Sequence, residues 1–276
     1  MNFDHSRLDK LIRRKYGKSI PQSVIEKAIR NKDVLVNGKR CSSFTQVSEI
    51  DNIYVHESIK KYSDKQKRVN ITNNNFKNLI VYEDSNIIAV NKPFGLAVQL
   101  GSKLRTAIDV MAKAYNSNAC LVHRIDRDTS GLVILAKNIQ TSRYMLHLFK
   151  NKSIHKKYIA IVSAKNLKTE MGIIEVPLSR QKDRVIVDKI GGKVAITEYK
   201  IVKNLEDNLA MLEVFPKTGR THQIRAHLQY IGCPILGDKK YGGRVHERMC
   251  LHAYSVSFLD INGQKIHIIA DIPENF

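Results

Sequence analysis

The stretch 121–137, LVHRIDRDTSGLVILAK, sets His123, Arg124, Asp126, Arg127 and Asp128 between an apolar entry and the apolar run 132–136. A charged bend between two apolar segments is either solvated or a poised reaction site. Asp, Ser and Gly are ordinary turn formers, so 128–131 on its own reads as a bend. Asp126 is the better candidate for chemistry. In extended backbone Arg124, Asp126 and Asp128 project to one face and Arg127 to the other, which gives Asp126 a cationic neighbour on its own side. Such company favours the charged carboxylate that a nucleophile requires.

A second dense passage is 215–228, FPKTGRTHQIRAHL. Gly219 permits a sharp turn, and a helix over 220–231 places His222 and Arg225 three apart, so a guanidinium can reach a site from another direction. The same pattern also suits a surface helix with Ile224 and Leu228 buried and its cations in water. Tyr158 opens an apolar strand in HKKYIAI, where a lone Tyr is ordinarily a core or rim residue. Two other chemistries fit poorly. No H-E-x-x-H occurs, and His222 and His227, five apart, fall on different sides of a helix, so no metal site is expected. Gly95 to Gly101 has one residue too many for a phosphate loop, and no Ser or Thr follows Lys103.

The elements that must carry these groups read as α+β, a mainly antiparallel mixed sheet with few helices. Strand patterns cover 79–82, 87–90, 132–136, 158–163, 172–176, 196–202 and 209–215, and a closing hairpin joins 253–259 to 265–270 through Asn262-Gly263. Helices are expected over 106–115, 140–151 and 220–231, the last stopped by Gly232. The first sixty residues form a unit of their own. Ser6 can cap a helix with Leu8, Leu11 and Ile12 on one face, and Arg7, Lys10, Arg13 and Arg14 mostly on the rest. Pro21 suits the first turn of a second helix, with Val24, Ile25, Ala28 and Ile29 inward. Then 34–36 meets the hairpin signal Asn37-Gly38, followed by Lys39, and 53–55 offers a further strand. Between the units, 58–78 holds six Lys or Arg against one Asp and little apolar periodicity, and reads as a basic linker.

The 276 residues carry 46 Lys and Arg against 26 Asp and Glu, a formal charge of +20, which calls for an anionic partner. A hydrophobic content of 43% argues against general disorder. No apolar run approaches the roughly 18 residues of a membrane span, and the start lacks the apolar stretch of a signal peptide, so a soluble cytoplasmic protein is expected. The four cysteines, at 41, 120, 233 and 250, show neither a C-x-x-C pair nor the spacing of a disulfide framework.

Four passages together carry a family resemblance. H-R-I-D-R-D-T-S-G-L, K-K-Y-I-A-I-V, G-R-T-H-Q-I-R-A-H-L and G-D-K-K-Y-G-G, in this order over about 79–271, resemble the ordered motifs of the RluA family of pseudouridine synthases. R-L-D-K-L-I, the second helix and V-L-V-N-G-K, over about 6–55, resemble the S4 RNA-binding domain. The implied organisation is an S4-like domain at 1–57, the linker at 58–78 and a catalytic domain at 79–276. It is similar to the family's large-subunit rRNA members, with the N-terminal sequence and short linker closer to the C-type than to the D-type. The resemblance implies Asp126 as the essential aspartate and Tyr158 as the active-site tyrosine. It also implies Arg225 as the arginine that pairs with the aspartate, and Arg124 as the arginine that enters the RNA stack in place of a flipped nucleotide. Further RNA contacts are expected from Arg7, Arg13, Arg14 and Lys39. Ile125 replaces the usual Leu, Gln99 stands where His is common, and the segment between Gly101 and Leu121 is short, which leaves the choice of uridine open.

The implied reaction breaks the N1 to C1′ bond of uridine, turns the ring and joins C5 to the same carbon, with no cofactor and no metal. The expected partner is 23S rRNA or a large ribosomal subunit precursor, met by a monomer. A D-type or tRNA-directed synthase, a non-catalytic assembly factor, and a metal-dependent nuclease built on His123, Asp126, Asp128 and His222 are the alternatives.

Overall fold

Apolar residues at helical and alternating spacings account for most elements of the computed structural model, which describes residues 6–16, 20, 22–48, 51–56, 76–101, 106–167 and 169–276. The chain divides into two units, Met1–Asn70 and Ile71–Phe276.

The first unit holds α1 (Leu8–Tyr16) and α2 (Gln22–Arg30) with the short strands β1 (Ser6–Arg7), β2 (Val34–Val36), β3 (Gln46–Val47) and β4 (Ile53–Val55). Leu8 and Ile12 from one helix meet Ile25 and Ala28 from the other over Val34, Val47 and Val55. Ser6 is not the cap expected of it. It pairs with Val47 in β1, and the first N–H groups of α1, from Leu8 and Asp9, donate instead to the carbonyls of Thr45 and Ser43. Asn37 and Gly38, both at positive φ, make the expected tight turn between Val36 and Lys39. Beyond that single bridge β2 pairs with β4. Pro21 and most of the expected linker lie outside the described residues. Phe76, inside that linker as read from composition, is fully buried in the second unit, so this unit's core begins before residue 79.

The second unit is built on a ten-stranded mixed sheet. Along its main path the order is β10 (Met171–Glu175), β13 (Ile196–Leu205), β14 (Leu209–Pro216), β9 (His155–Ser163), β15 (Leu251–Leu259), β8 (Ser130–Ala136), β6 (Ile87–Lys92) and β5 (Ile80–Glu83). Off the path, β16 (Lys265–Ile269) pairs with β15, and β7 (Cys120–Leu121) pairs with β8. All ladders are antiparallel except β8 with β15, which joins the two halves of the sheet. Every residue of β8 is buried, as its unbroken apolar run requires, whereas β14 alternates strictly between partly and fully buried. A separate hairpin, β11 (Leu178–Gln181) with β12 (Arg184–Val187), was not anticipated.

Three helices complete the unit: α3 (Ile108–Tyr115), α4 (Ile139–Lys150) and α5 (Gln223–Tyr230). The Asn138 side chain caps α4 by accepting from the Thr141 N–H. Helix α5 starts three residues later than its pattern suggests, because His222 adopts the left-handed conformation, φ 50° and ψ 19°. It is no surface helix: Gln223 through Leu228 are all buried. Among the described residues no helix is long and apolar enough to cross a membrane.

Candidate active site

The segment between β7 and β8 is irregular, closed by a turn in which the Thr129 N–H donates to the Asp126 carbonyl. The alternation expected of an extended strand therefore does not hold here. Ile125 is buried and pins the segment to the core, Arg124 and Arg127 are exposed, and Asp126 lies between these extremes. Arg127 forms an exposed ion pair with Asp128 at 3.1 Å. Below the turn, the fully buried Lys92 donates to the carbonyls of Pro93, Leu96 and Arg127 at 2.8–3.0 Å, tying two loops together. Burial pushes its pKa down to about 7, against the pull of Asp128 and Asp126.

Asp126 meets its guanidinium from α5, ninety-nine residues along the chain, and not from Arg124. Arg225 Nη1 lies 3.2 Å from Asp126 Oδ2, and His222 Nε2 lies 3.8 Å from the same oxygen. Among the described residues no hydrogen bond is made to Oδ1. The guanidinium is itself held: Arg225 Nε donates to Asp238 Oδ2 at 2.7 Å and Nη2 to Oδ1 at 2.8 Å, while the Tyr241 ring lies 4.9 Å from its central carbon. Burial alone would lower the Arg225 pKa, but the two aspartates outweigh it and raise it.

The turn before α5 is fixed by Gln223. Its Oε1 accepts from Thr218 Oγ1 and the Arg220 N–H, and its Nε2 donates to the Ile196 carbonyl and to Thr197 Oγ1. His227, on the same helix, is occupied by Thr197 Oγ1 and the Val176 carbonyl. His123 takes the Ile134 N–H on Nε2 and stacks on Phe149, and burial drives its pKa to about 3. Neither histidine is poised as a metal ligand, and among the described residues no group of three His, Cys, Asp or Glu side chains is arranged to hold a metal ion.

Two cavities flank the carboxylate. One, of about 340 Å³, brings Tyr158 together with Asp126, His222 and Arg225. The other, of about 480 Å³, lies among Phe94, Lys239, Lys240 and Arg248 and shares Arg124, Asp126 and Arg225 with the first. Burial and the Asp126 charge push the Tyr158 pKa up, so its hydroxyl keeps its proton at neutral pH. Asp126, Tyr158, Arg225 and Arg124 thus line one cavity, while Arg7, Arg13, Arg14 and Lys39 belong to the first unit. Sequence reading missed three supports. Asp238 and Tyr241 were visible only as letters of G-D-K-K-Y-G-G, and Lys92 lay two residues past the strand expected at 87–90.

Residues 86–230, which include Asp126, Tyr158 and Arg225, match the family of RNA pseudouridylate synthases. The chain belongs to this family. It is 37% identical over 292 aligned positions to the ribosomal large subunit pseudouridine synthase C of Rickettsia bellii, covering 98% of this chain and 96% of that protein. To the protein of the same name from Buchnera aphidicola subsp. Acyrthosiphon pisum it is 36% identical, covering 99% and 92%. The structure of human RNA pseudouridylate synthase domain containing 4 superposes with a TM-score of 0.62 at 22% identity, over 77% of this chain and 94% of that one. That of human RNA pseudouridylate synthase domain containing 1 gives 0.62 at 23%, over 70% and 83%. These likenesses show the pseudouridine synthase fold, and the family establishes an RNA-modifying isomerase. Asp238 and Tyr241 fall beyond the matched stretch.

Proposed function

We propose that this RNA pseudouridine synthase isomerises uridines of 23S rRNA, with Asp126 as the reacting carboxylate. The target is supported by the relatives named for the large ribosomal subunit, which align along nearly the whole chain. The chemistry rests on one observation: Asp126 is held by Oδ2 at a cavity wall that Tyr158 also lines, and among the described residues no hydrogen bond is made to its Oδ1.

The uracil must leave its stack to reach this cavity, at a cost of about a few kcal/mol. Arg124, exposed at the rim, fills the gap and offsets part of that cost. The free oxygen of Asp126 can then attack the sugar or ring, or take a sugar proton, as the N1 to C1′ bond breaks. The ring turns and C5 joins C1′ as the bond to Asp126 breaks or the sugar proton is returned, which frees the carboxylate; the C5 proton departs and N1 gains one. Tyr158, protonated, serves the ring as a stacking surface and hydrogen-bond donor, not as a phenolate base.

In this reading the first unit is the S4-like RNA-binding domain at 1–57, followed by the basic linker and the catalytic domain. Arg14 and Lys39 are exposed and suit phosphate contacts. Arg7 and Arg13 are engaged within the unit, Arg7 by Asp9 and Arg13 by the Ile20 carbonyl and Gln22. The enzyme acts as a cytoplasmic monomer.

Tritium release from RNA carrying C5-tritiated uridine tests the chemistry. Asp126→Asn is expected to lose turnover by on the order of 10⁴-fold or more while binding RNA. A folded Asp126→Asn protein that kept turnover would remove Asp126 from the reaction. Mapping pseudouridines in rRNA from a strain lacking the protein tests the target, and an unchanged 23S map would reject it.

A further inference from the structure

Tyr241 connects the active-site wall to the β11–β12 hairpin. Its ring is buried with Leu178, Val185, Ala195 and Ala226. Its hydroxyl oxygen accepts the Val185 N–H at 2.9 Å and lies 3.0 Å from His222 Nδ1. Among the described residues, the Nδ1 lone pair is the acceptor left for the hydroxyl proton. With Nδ1 accepting, a neutral imidazole carries its proton on Nε2, and Nε2 is the atom facing Asp126 Oδ2 at 3.8 Å.

The backbone supports the same reading. His222 sits in the left-handed region, uncommon for a residue with a Cβ and a frequent mark of functional positions. This turn delivers the imidazole between Tyr241 and Asp126. The charged and titratable groups around it are Asp126, Arg225, Lys240, Asp238 and Tyr241, and burial, with Arg225 and Lys240, keeps the imidazole toward its neutral form against the two aspartates.

We propose that Tyr241 fixes His222 as the Nε2–H tautomer, and that this tautomer joins Arg225 in holding Asp126 by Oδ2, leaving Oδ1 to the nucleoside. The inference rests on Asp126 being the reacting carboxylate. Closing 3.8 Å to a hydrogen bond takes a movement of about 1 Å, of the kind that accompanies substrate binding. His222 and Tyr241 act through Asp126 and are positioning residues.

The test begins on the free, ¹⁵N-labelled full-length protein, where long-range ¹H–¹⁵N couplings assign the His222 tautomer. The expected result is Nε2–H in the wild type and a mixture in Tyr241→Phe, with the His222 titration midpoint raised because the donor to its neutral form is gone. In tritium release, Tyr241→Phe is expected to lower kcat about tenfold with KM little changed, and to move the acid limb of the pH profile upward. His222→Gln, whose amide nitrogen reaches the place of Nε2, should retain more kcat than His222→Asn, whose amide nitrogen ends near Nδ1. That pair decides the matter should Tyr241→Phe fold poorly. An Nδ1–H tautomer in the wild type, an unmoved kcat and pH profile in Tyr241→Phe, or equal kcat for the Gln and Asn variants would overturn the proposal. Because the tautomer is read without substrate, a wrong tautomer leaves the family reading intact, and a wrong RNA target leaves the tautomer result standing.

Discussion

Asp238 grips Arg225 with both carboxylate oxygens, at 2.7 and 2.8 Å, and so decides which edge of the guanidinium is left for Asp126. The Nε–H and one N–H of Nη2 are taken by the grip, and Nη1 is the nitrogen that reaches Asp126 at 3.2 Å. The Asp238 side chain is fully buried and also accepts the backbone N–H groups of Lys240 and Tyr241. One carboxylate thus anchors both the arginine and the turn that carries Tyr241.

Removing that anchor leaves a buried guanidinium without its partner. Asp238→Ala is expected to cost about 3–5 kcal/mol of stability and to lower kcat, since Arg225 loses its orientation. Asp238→Asn, which keeps the shape but turns an amide toward a cation, should fall between. Chemical denaturation followed together with tritium release checks both, and a stable, fully active Asp238→Ala protein would contradict the assignment.

Gly131 ends the charged loop, and composition alone made it a turn former. Its φ is +107°, and a Cβ there would stand 2.3 Å from the Ala253 carbonyl oxygen and 2.6 Å from the Ala253 nitrogen. It is therefore the contact point of the parallel β8–β15 pair. Gly131→Ala is expected to destabilise the second unit by at least about 3 kcal/mol, because both backbones must shift. Thermal unfolding of the variant reads this directly.

Acid should loosen the same junction through His252. It is fully buried, accepts from Ser130 Oγ on Nδ1 and donates from Nε2 to the Ala270 carbonyl, and burial pushes its pKa from 6.5 down to about 4. Between those values the unfolded chain binds a proton that the native state refuses. Stability is then fully present above pH 6.5 and lost as pH falls toward 4, by about 3 kcal/mol over the window. Amide protection factors in β8, corrected for intrinsic exchange, should drop accordingly. In His252→Leu the slope should be shallower by about one proton.

The cations of the first unit separate into two kinds. Arg14→Gln and Lys39→Gln should each weaken RNA binding and reduce the salt slope by about 1 if they neutralise phosphates. Arg13→Gln, by losing its bonds to the Ile20 carbonyl and Gln22, should instead destabilise the joint between α1 and α2. Binding measured across a salt series, with thermal melts of the same proteins, distinguishes the two effects.

Much of this protein was legible along the chain because the signals are local. The alternation of β14, the apolar run of β8, the Asn37-Gly38 turn and the helical faces of α1 and α2 each follow from a backbone period meeting one buried side. Asp126, Tyr158 and Arg225 stood out through residue type and motif order. Tertiary structure alone decided the rest of their company, Asp238 and Tyr241 behind Arg225 and His222 beside Asp126. Asp126 lies in an irregular loop, so strand alternation gave it Arg124 where the motif resemblance gave it Arg225, and the contact is with Arg225, from a helix whose start is displaced by the left-handed His222. Lys92 lies past the strand expected at 87–90 and carries no sequence signal of burial, yet folding surrounds it with three carbonyls. Sequence periodicity reports how deeply a residue is buried. Which group it meets there depends on chain crossings between distant segments, and those are settled only when the sheet closes β8 against β15.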